Sequence, residues 1–281
     1  MAHNVKICKN VSIGGGHFAL IAGPCVIESE SVTFSIASAL KEMTDDLGIP
    51  FVFKASFDKA NRTSITSYRG PGIEVGLDIL SDIRSRLSVP VISDLHSLDQ
   101  VKPAARVLDI LQIPAFLCRQ TDLLVAAART GKPLNIKKGQ FLAPWDMKHV
   151  VAKVRSAGND QIMLTERGAM FGYNNLVTDF RSIKIMKDLD CPVIFDATHS
   201  VQLPGGAGGA SGGQREFAPV LARAAIAVGA DAIFMEVHPD PDNALSDGPN
   251  SIKLDDMSGI LKDLVRIAKA CGNFRAKEVC T

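Results

Sequence analysis

Four side chains able to bind a metal ion lie at or beyond the ends of short apolar segments: Cys25, His199, Glu236 and Asp247. They offer one sulfur, one imidazole nitrogen and two carboxylates, a mixed set that suits Fe2+, Mn2+, Zn2+ or Co2+. A lone cysteine is more often a small buried hydrophobe, and lone acids often lie at the surface. The set predicts a site for one divalent metal ion if the fold brings its four members together.

Cationic side chains occupy comparable positions after the apolar segments. Arginine can bind phosphate through two parallel hydrogen bonds, and lysine supplies a point charge. Gathered at one rim, these charges would repel one another unless an anion neutralised them, so we expect one or two phosphorylated substrates. Arg62, Thr63 and Ser64 together can bind a terminal phosphate, although a polar turn that starts a helix is the alternative for this segment. The cationic set is Lys54, Lys59, Arg62, Arg119, Lys137, Lys138 and Arg167.

The apolar segments alternate with amphipathic stretches from end to end. The strand-like runs are 18–23, 50–55, 90–94, 109–113, 134–138, 161–166, 192–196 and 232–236. Helical patterns include 31–47, 73–87, 122–130, 143–157, 216–228 and 254–270. Eight alternating units predict an α/β fold of the (β/α)8 TIM-barrel class. A doubly wound open sheet is the alternative, but no glycine-rich dinucleotide fingerprint follows the first run.

A barrel fold makes a specific demand on the reactive residues. The loops that follow its strands meet at one face, which would gather the metal ligands and the cations there. We expect one domain over 1–281, with a short N-terminal β-hairpin in 3–17 that closes the opposite end. The segment 203–214, rich in glycine, alanine and serine, is predicted to be a mobile loop beside the site.

Composition excludes several classes of protein. The 281 residues are 46% hydrophobic and 22% charged, with a net charge of +1, which is typical of a globular protein and gives no overall attraction to nucleic acid or membrane. No apolar run approaches the ~18 residues of a membrane span, and the N-terminus lacks a signal-peptide pattern. The six cysteines form no CxxC pair. We therefore expect a cytoplasmic protein with reduced thiols.

Six segments of the chain resemble the signatures of the 3-deoxy-D-manno-octulosonate 8-phosphate (KDO-8-phosphate) synthase family. They are 53–64 (FKASFDKANRTS), 112–122 (QIPAFLCRQTD), 135–141 (NIKKGQF), 166–176 (ERGAMFGYNNL), 195–199 (FDATH) and 236–241 (EVHPDP). The resemblance runs from about residue 20 to residue 252. It implies a TIM barrel, usually a homotetramer, that condenses phosphoenolpyruvate with D-arabinose 5-phosphate and releases phosphate. The product feeds the KDO sugar of lipopolysaccharide.

The resemblance also implies roles for individual residues. Lys59, Lys137 and His199 become candidates for the catalytic centre. The implied phosphoenolpyruvate ligands are Lys54, Gln112, Arg119, Lys137 and Arg167. The implied arabinose 5-phosphate ligands are Asn61, Arg62, Ser64 and Asp94, with Arg62 and Ser64 at the phosphate. The loop in 203–214 would order over the occupied site and exclude water.

The family has a metal-free branch, which carries asparagine at the position of Cys25, and a metal-dependent branch. Metal-dependent members use a cysteine, a histidine, a glutamate and an aspartate, which match Cys25, His199, Glu236 and Asp247; the last lies in the motif SDGP at 246–249. This chain resembles the metal-dependent branch. The metal would polarise the aldehyde or orient the attacking water. Our hypothesis is that it orients the aldehyde end of the sugar phosphate.

Two other functions are compatible with parts of this pattern. A 3-deoxy-D-arabino-heptulosonate 7-phosphate synthase, which uses erythrose 4-phosphate, shares the barrel and the metal set but carries Lys-Pro-Arg-Thr-Ser where this chain has KANRTS at 59–64. Asn61 favours the octulosonate enzyme, while Thr63 echoes the rival motif. A catalytically inactive phosphosugar- or metal-binding barrel is the second alternative. Nucleic-acid binding has little support, since no aromatic–basic stacking motif is present.

Overall fold

The computed structural model describes residues 3–206 and 211–274, and its strands include the eight that the sequence predicted. In chain order the strands are β1 (Asn4–Cys8), β2 (Val11–Gly14), β3 (Ala19–Gly23), β4 (Phe51–Lys54), β5 (Val91–Asp94), β6 (Ile110–Ile113), β7 (Leu134–Lys137), β8 (Ile162–Glu166), β9 (Ala169–Gly172), β10 (Asn175–Val177), β11 (Val193–Asp196), β12 (Gln202–Leu203), β13 (Gly212–Gly213), β14 (Ala232–His238) and β15 (Ile252–Lys253).

Eight of these strands form a closed parallel barrel. Strands β3 to β8 pair in sequence order, β8 pairs with β11, and β14 pairs with both β11 and β3, so the sheet has no open edge among its barrel strands. The barrel strands are buried along their whole length, as expected for strands covered by helices outside and by side chains inside. The predicted (β/α)8 TIM barrel is confirmed.

The helices pack around the outside of the barrel. Helix α1 begins after Ser29, whose side chain accepts a hydrogen bond from the Val32 amide, and ends at Gly48 in the left-handed region (φ 67°). Two helices were not singled out from the sequence: α3 contains Pro103, and α6 has only seven residues. The helices are α1 (Glu30–Leu47), α2 (Ile73–Leu87), α3 (Leu98–Val107), α4 (Thr121–Ala128), α5 (Met147–Ser156), α6 (Arg181–Lys187), α7 (Ala218–Ala227) and α8 (Met257–Ala270).

Two apolar clusters stabilise this arrangement. The larger lies between the barrel and the helices, and the smaller fills the barrel interior. The predicted hairpin consists of the antiparallel strands β1 and β2, and its Val5, Val11 and Ile13 belong to the interior cluster together with Met163 and Phe234. The hairpin therefore closes the amino-terminal end of the barrel, as the sequence predicted, and leaves the opposite face for chemistry.

Two short hairpins lie at the carboxyl-terminal face of the barrel. Strands β9 and β10 form one, and β12 and β13 form another on either side of the glycine-rich segment. Positions 207–210 of the predicted mobile loop lie outside the described residues. Within the described parts of the chain, no helix is both long and apolar enough to cross a membrane.

Candidate active site

A cavity of about 550 Å3 opens at the carboxyl-terminal ends of the barrel strands. Several loops after those strands supply its walls, which is where the barrel topology places functional groups. Residues from the predicted site that line it are Lys54, Lys59, Asn61, Arg62, Asp94, Gln112, Lys137, Arg167, His199 and Asp247. Five of the seven predicted cationic side chains therefore line one cavity. No other lysine or arginine of the described residues lines it.

The four predicted metal ligands converge beside this cavity, and two of them, His199 and Asp247, also line it. One donor atom each from Cys25, Glu236 and Asp247 lies within 4.8 Å of the other two. His199 Nε2 lies 3.6 Å from Glu236 Oε1 and 3.7 Å from Asp247 Oδ2. Cys25 Sγ lies 3.3 Å from Asp247 Oδ2. Side chains separated by more than 200 positions thus meet at one point, because parallel strands end at the same rim.

Electrostatics at this ligand cluster favour a cation. Burial, together with Asp247 and Glu236, raises the pKa of the Cys25 thiol well above its usual value, so a metal ion would be the charge that makes the thiolate stable there. Burial opposes ionisation of Glu236, but His199, Lys54 and Lys59 hold its pKa well below the usual range. Glu236 Oε2 is buried without a hydrogen-bond partner among the described residues. An unpartnered carboxylate oxygen beside a sulfur and a second carboxylate fits a borderline divalent metal.

His199 is held in the orientation that a metal ligand requires. Its Nδ1 lies 2.8 Å from Asp196 Oδ2, which turns Nε2 toward Glu236 and Asp247. Asp196 also accepts a hydrogen bond from Lys137 Nζ at 2.6 Å. Burial opposes the charge on Asp196, but His199 and Lys137 hold its pKa well below its usual range. Asp196 therefore supports both a predicted ligand and a predicted substrate-binding lysine.

Lysines and an arginine surround the deepest part of the cavity. Lys54 Nζ donates to Glu236 Oε1 and to the Cys25 carbonyl, each at 2.9 Å, and Lys59 Nζ lies 3.7 Å from the same Glu236 oxygen. Burial lowers the pKa of Lys137, with Asp196 partly offsetting that effect. Arg167 donates to Gln202 Oε1 at 3.1 Å, while its Nη1 is buried without a partner in the described structure. These groups leave cationic donors free for an anion.

A second wall of the cavity carries Arg62 and Asp94. Arg62 Nη1 donates to Ser246 Oγ at 2.6 Å. Asp94 accepts a hydrogen bond from Ser56 and lies 3.0 Å from His96 Nε2. Burial opposes the charge on Asp94, but Lys59 and His96 hold its pKa well below the usual value. Asp94 is thus an ionised acceptor able to bind a sugar hydroxyl.

Two predicted binding residues lie away from the cavity of their own chain. Arg119 is exposed, and its carbonyl accepts a hydrogen bond from Lys153. Ser64 does not line the cavity, and its hydroxyl lies 2.9 Å from that of Thr66; the preceding residue, Thr63, lines the wall. Lys138, also among the expected cations, is buried against Glu166 and the Leu142 carbonyl behind the barrel wall. Adjacent positions on a strand end point to opposite sides, which separates Lys137 from Lys138.

Sequence reasoning missed several residues that complete the site. Gln140 and Gln202 line the cavity, and Ser246 contacts both Cys25 and Arg62. Gln140 lies in the turn after β7 and Gln202 in the short strand β12, and neither carries a charge that would mark it in the sequence. Ser246 carried a signal, because it directly precedes Asp247 in the motif SDGP, but its hydroxyl gave no indication of its partners.

Comparisons with known proteins agree with this geometry. The model of the DAHP synthetase I family matches residues 2–271. The 2-dehydro-3-deoxyphosphooctonate aldolase of Desulfatibacillum aliphaticivorans is 62% identical over 271 residues, covering 96% of this chain and 99% of that protein. Proteins of the same name from Syntrophotalea carbinolica (63% over 268 residues, 95% and 96% covered) and Geobacter sp. strain M21 (64% over 258 residues, 92% and 94% covered) are similarly close. The resemblance drawn from the six motifs is confirmed: the chain belongs to the DAHP synthetase I family, among the 2-dehydro-3-deoxyphosphooctonate aldolases, or KDO-8-phosphate synthases.

Proposed function

We propose that the protein condenses phosphoenolpyruvate with D-arabinose 5-phosphate and water, giving 3-deoxy-D-manno-octulosonate 8-phosphate and inorganic phosphate. The observation that carries the proposal is one cavity lined by five cationic side chains and by Asp247, which forms a ligand cluster with Cys25 and Glu236. Two phosphorylated substrates must come together in this reaction, and the cationic walls offset their repulsion. The name shared by the relatives, 2-dehydro-3-deoxyphosphooctonate aldolase, supports a phosphorylated octulosonate as the product.

Phosphoenolpyruvate fits the wall formed by Lys54, Lys137, Arg167 and Gln112. Arg167 has an unpartnered buried Nη1, and a phosphate or carboxylate oxygen would satisfy it. Lys137 Nζ lies 3.9 Å from the centre of the Phe234 ring and donates a hydrogen bond to Asp196. These two contacts fix the orientation of its ammonium group. Arg119 keeps its proposed role only if it reaches the substrate of a neighbouring subunit.

Arabinose 5-phosphate fits the opposite wall. Arg62 and Thr63 line the cavity and suit the sugar phosphate, with Thr63 taking the role that the resemblance implied for Ser64. Asn61 and Asp94 also line it and would bind sugar hydroxyls. This arrangement directs the aldehyde end of the pentose toward the proposed metal ligands.

The resident groups then account for the chemistry. Carbon 3 of phosphoenolpyruvate adds to the aldehyde carbon, water adds at carbon 2, and phosphate leaves by cleavage of its C–O bond. Burial opposes the charge on Lys59, but the surrounding anionic groups, among them Glu236 and Asp94, outweigh burial and keep its pKa well above the usual value, so Lys59 remains an ammonium. It would donate a hydrogen bond to the oxygen that gains charge when the aldehyde is attacked.

One divalent metal ion of the Fe, Mn, Zn or Co class would be held by Cys25, His199, Glu236 and Asp247. When bound it supplies a Lewis acid, and we propose that this orients the aldehyde end of the sugar phosphate. This ligand set supports assignment of the chain to the metal-dependent branch of the family. Lys54 supports the site from below by pairing with Glu236.

The decisive experiment measures phosphate release with phosphoenolpyruvate and each of two aldose phosphates, after chelation and after metal add-back. We expect turnover with arabinose 5-phosphate, loss on chelation and recovery with Mn2+ or Co2+. Faster turnover with erythrose 4-phosphate would instead assign the heptulosonate reaction. If neither aldose phosphate gave phosphate release with phosphoenolpyruvate and added Mn2+, the result would favour a catalytically inactive binding protein.

We further propose that the enzyme is a cytoplasmic homotetramer acting in KDO biosynthesis for lipopolysaccharide. Large apolar side chains are exposed beside the active-site face, which supports burial against a neighbouring subunit. They are Phe116, Phe141, Trp145, Met170, Phe171 and Tyr173. Light scattering coupled to gel filtration should give four times the 30.0 kDa chain mass, and a monomer would contradict this assembly.

A further inference from the structure

One buried hydroxyl joins the metal-binding sulfur to the phosphate-binding guanidinium. Ser246 is 3% exposed, and its Oγ lies 3.0 Å from Cys25 Sγ and 2.6 Å from Arg62 Nη1. Neither the family motifs nor the ligand set accounts for this bridge. Because Ser246 directly precedes Asp247, it belongs to the same loop as another proposed ligand. The two halves of the site are therefore connected through a single side chain.

The guanidinium of Arg62 keeps some hydrogen-bonding capacity while it holds Ser246. Its Nη1 is engaged by the hydroxyl, whereas Nε is buried with no partner in the described residues and Nη2 makes only a 3.4 Å contact with the Leu245 carbonyl. Nη2 is therefore the nitrogen that can donate to a phosphate oxygen in the cavity that Arg62 lines. A phosphate can thus bind Arg62 without breaking its bond to Ser246, and would fix that bond in place.

The hydroxyl of Ser246 is placed to stabilise a metal-bound Cys25 sulfur. Cys25 Sγ lies within hydrogen-bond distance of both Ser246 Oγ and Asp247 Oδ2. A metal-bound sulfur has lost its proton to solvent and can only accept. The hydroxyl has one donor and two acceptor positions, so it can accept from Arg62 and donate to the sulfur at the same time. The positive charge of Arg62 polarises that hydroxyl and strengthens its donation.

We infer that Ser246 is a positioning residue that couples phosphate binding at Arg62 to metal binding at Cys25, so that each ligand strengthens the binding of the other. The inference rests on the proposed function for the identity of the sugar phosphate. Because coupling is reciprocal, the bound metal strengthens sugar-phosphate binding by the same factor. The consequence is an enzyme that holds its metal most tightly when its second substrate is in place.

The test measures the Kd for Co2+ by competition with a chelator, with and without saturating arabinose 5-phosphate, and in parallel with inorganic phosphate. Absorption from the thiolate–cobalt bond reports the environment of Cys25 directly. We expect the phosphorylated ligand to lower the Kd of the wild-type protein about fivefold or more and to shift the absorption. In Ser246→Ala the Kd should be the same with and without the ligand.

Two further variants separate the hydroxyl from general damage to the loop. Ser251→Ala removes an equally buried hydroxyl of the same loop that donates to the Asp247 carbonyl, so the effect of the phosphorylated ligand should persist. Ser246→Thr keeps a hydroxyl and should restore part of the coupling lost in Ser246→Ala. Thermal unfolding followed by circular dichroism identifies any variant that does not fold.

The outcomes also distinguish this inference from the proposed reaction. If the wild-type protein turns over arabinose 5-phosphate but its Co2+ affinity is indifferent to both phosphorylated ligands, the coupling is overturned and the reaction stands. Retention of the full effect in Ser246→Ala overturns it as well. If neither aldose phosphate is turned over, yet inorganic phosphate lowers the Kd of the wild-type protein and not of Ser246→Ala, the coupling stands and the reaction fails.

Discussion

Lys54 Nζ lies 2.9 Å from Glu236 Oε1, and both side chains are almost completely buried where β4 and β14 end. The pair joins strands on opposite sides of β3 in the barrel. Removal of one partner from a buried ion pair leaves the other charge uncompensated, which costs far more than the pair itself contributes.

Replacement of Lys54 by methionine should therefore destabilise the metal-free protein by about 3 kcal/mol, the low end of the usual range, because Lys59 still faces Glu236. Urea unfolding followed by fluorescence gives the free energy of unfolding. The double variant Lys54→Met with Glu236→Gln should recover much of the loss. An exposed pair provides the control: Lys184→Met should change stability by less than about 0.5 kcal/mol, and an equal loss there would contradict the argument.

Metal removal tests the role of Cys25. Chelation should abolish turnover of the wild-type protein, and Cys25→Asn should bind Co2+ at least about tenfold more weakly, because an amide replaces a thiolate. The measurement is phosphate release across a metal titration. Full activity in metal-free Cys25→Asn would exclude an obligatory chemical role for the metal.

Thr63 and Ser64 form a matched pair of neighbouring hydroxyls. Thr63 lines the cavity and Ser64 does not, so Thr63→Ala should raise the KM for arabinose 5-phosphate about tenfold through loss of a hydrogen bond to a charged group. Ser64→Ala should leave that KM within about twofold of wild type. Steady-state kinetics with phosphoenolpyruvate saturating decides between them, and the reverse order would restore the role first assigned to Ser64.

Thiol reactivity should follow burial. Burial raises the pKa of Cys191 to about 11, whereas Cys271 is exposed. At pH 8 only about 0.1% of a thiol with that pKa is ionised, and the thiolate is the reactive form. Iodoacetamide followed by peptide mapping should label Cys271 in the native protein and Cys191 only after unfolding in urea. Comparable native labelling of both would show that Cys191 is accessible.

The sequence predicted the barrel because its strands are short, largely apolar runs, most of which end in a polar residue. The same regularity accounts for the convergence of Cys25, His199 and Glu236, since the strands of a parallel barrel end at one rim. The sequence pattern did not predict the contacts that depend on loop conformation. Asp247 adopts a left-handed backbone (φ 50°), which places the preceding Ser246 between Cys25 and Arg62.

The direction of a side chain was the second reason why the predicted site and the observed site differ. Arg119 lies just beyond the 3-10 turn Ala115–Leu117 that follows β6, where it is exposed and does not line the cavity. The segment before it follows the family motif without a break, so pattern alone gave no sign of the change in direction. A charged residue near a strand end predicts the correct face of the barrel, but the loop that follows decides which way it points.

The N-terminal hairpin has a consequence for biosynthesis. Its Val5 and Ile13 pack against an interior surface to which Ala232 and Phe234 of the last barrel strand contribute. The hairpin is synthesised first and the last barrel strand near the end of translation. The hairpin therefore cannot pack against the complete barrel interior until nearly the whole polypeptide has been made. Docking of the hairpin is thus a late folding step, which requires that the last barrel strand is already in place.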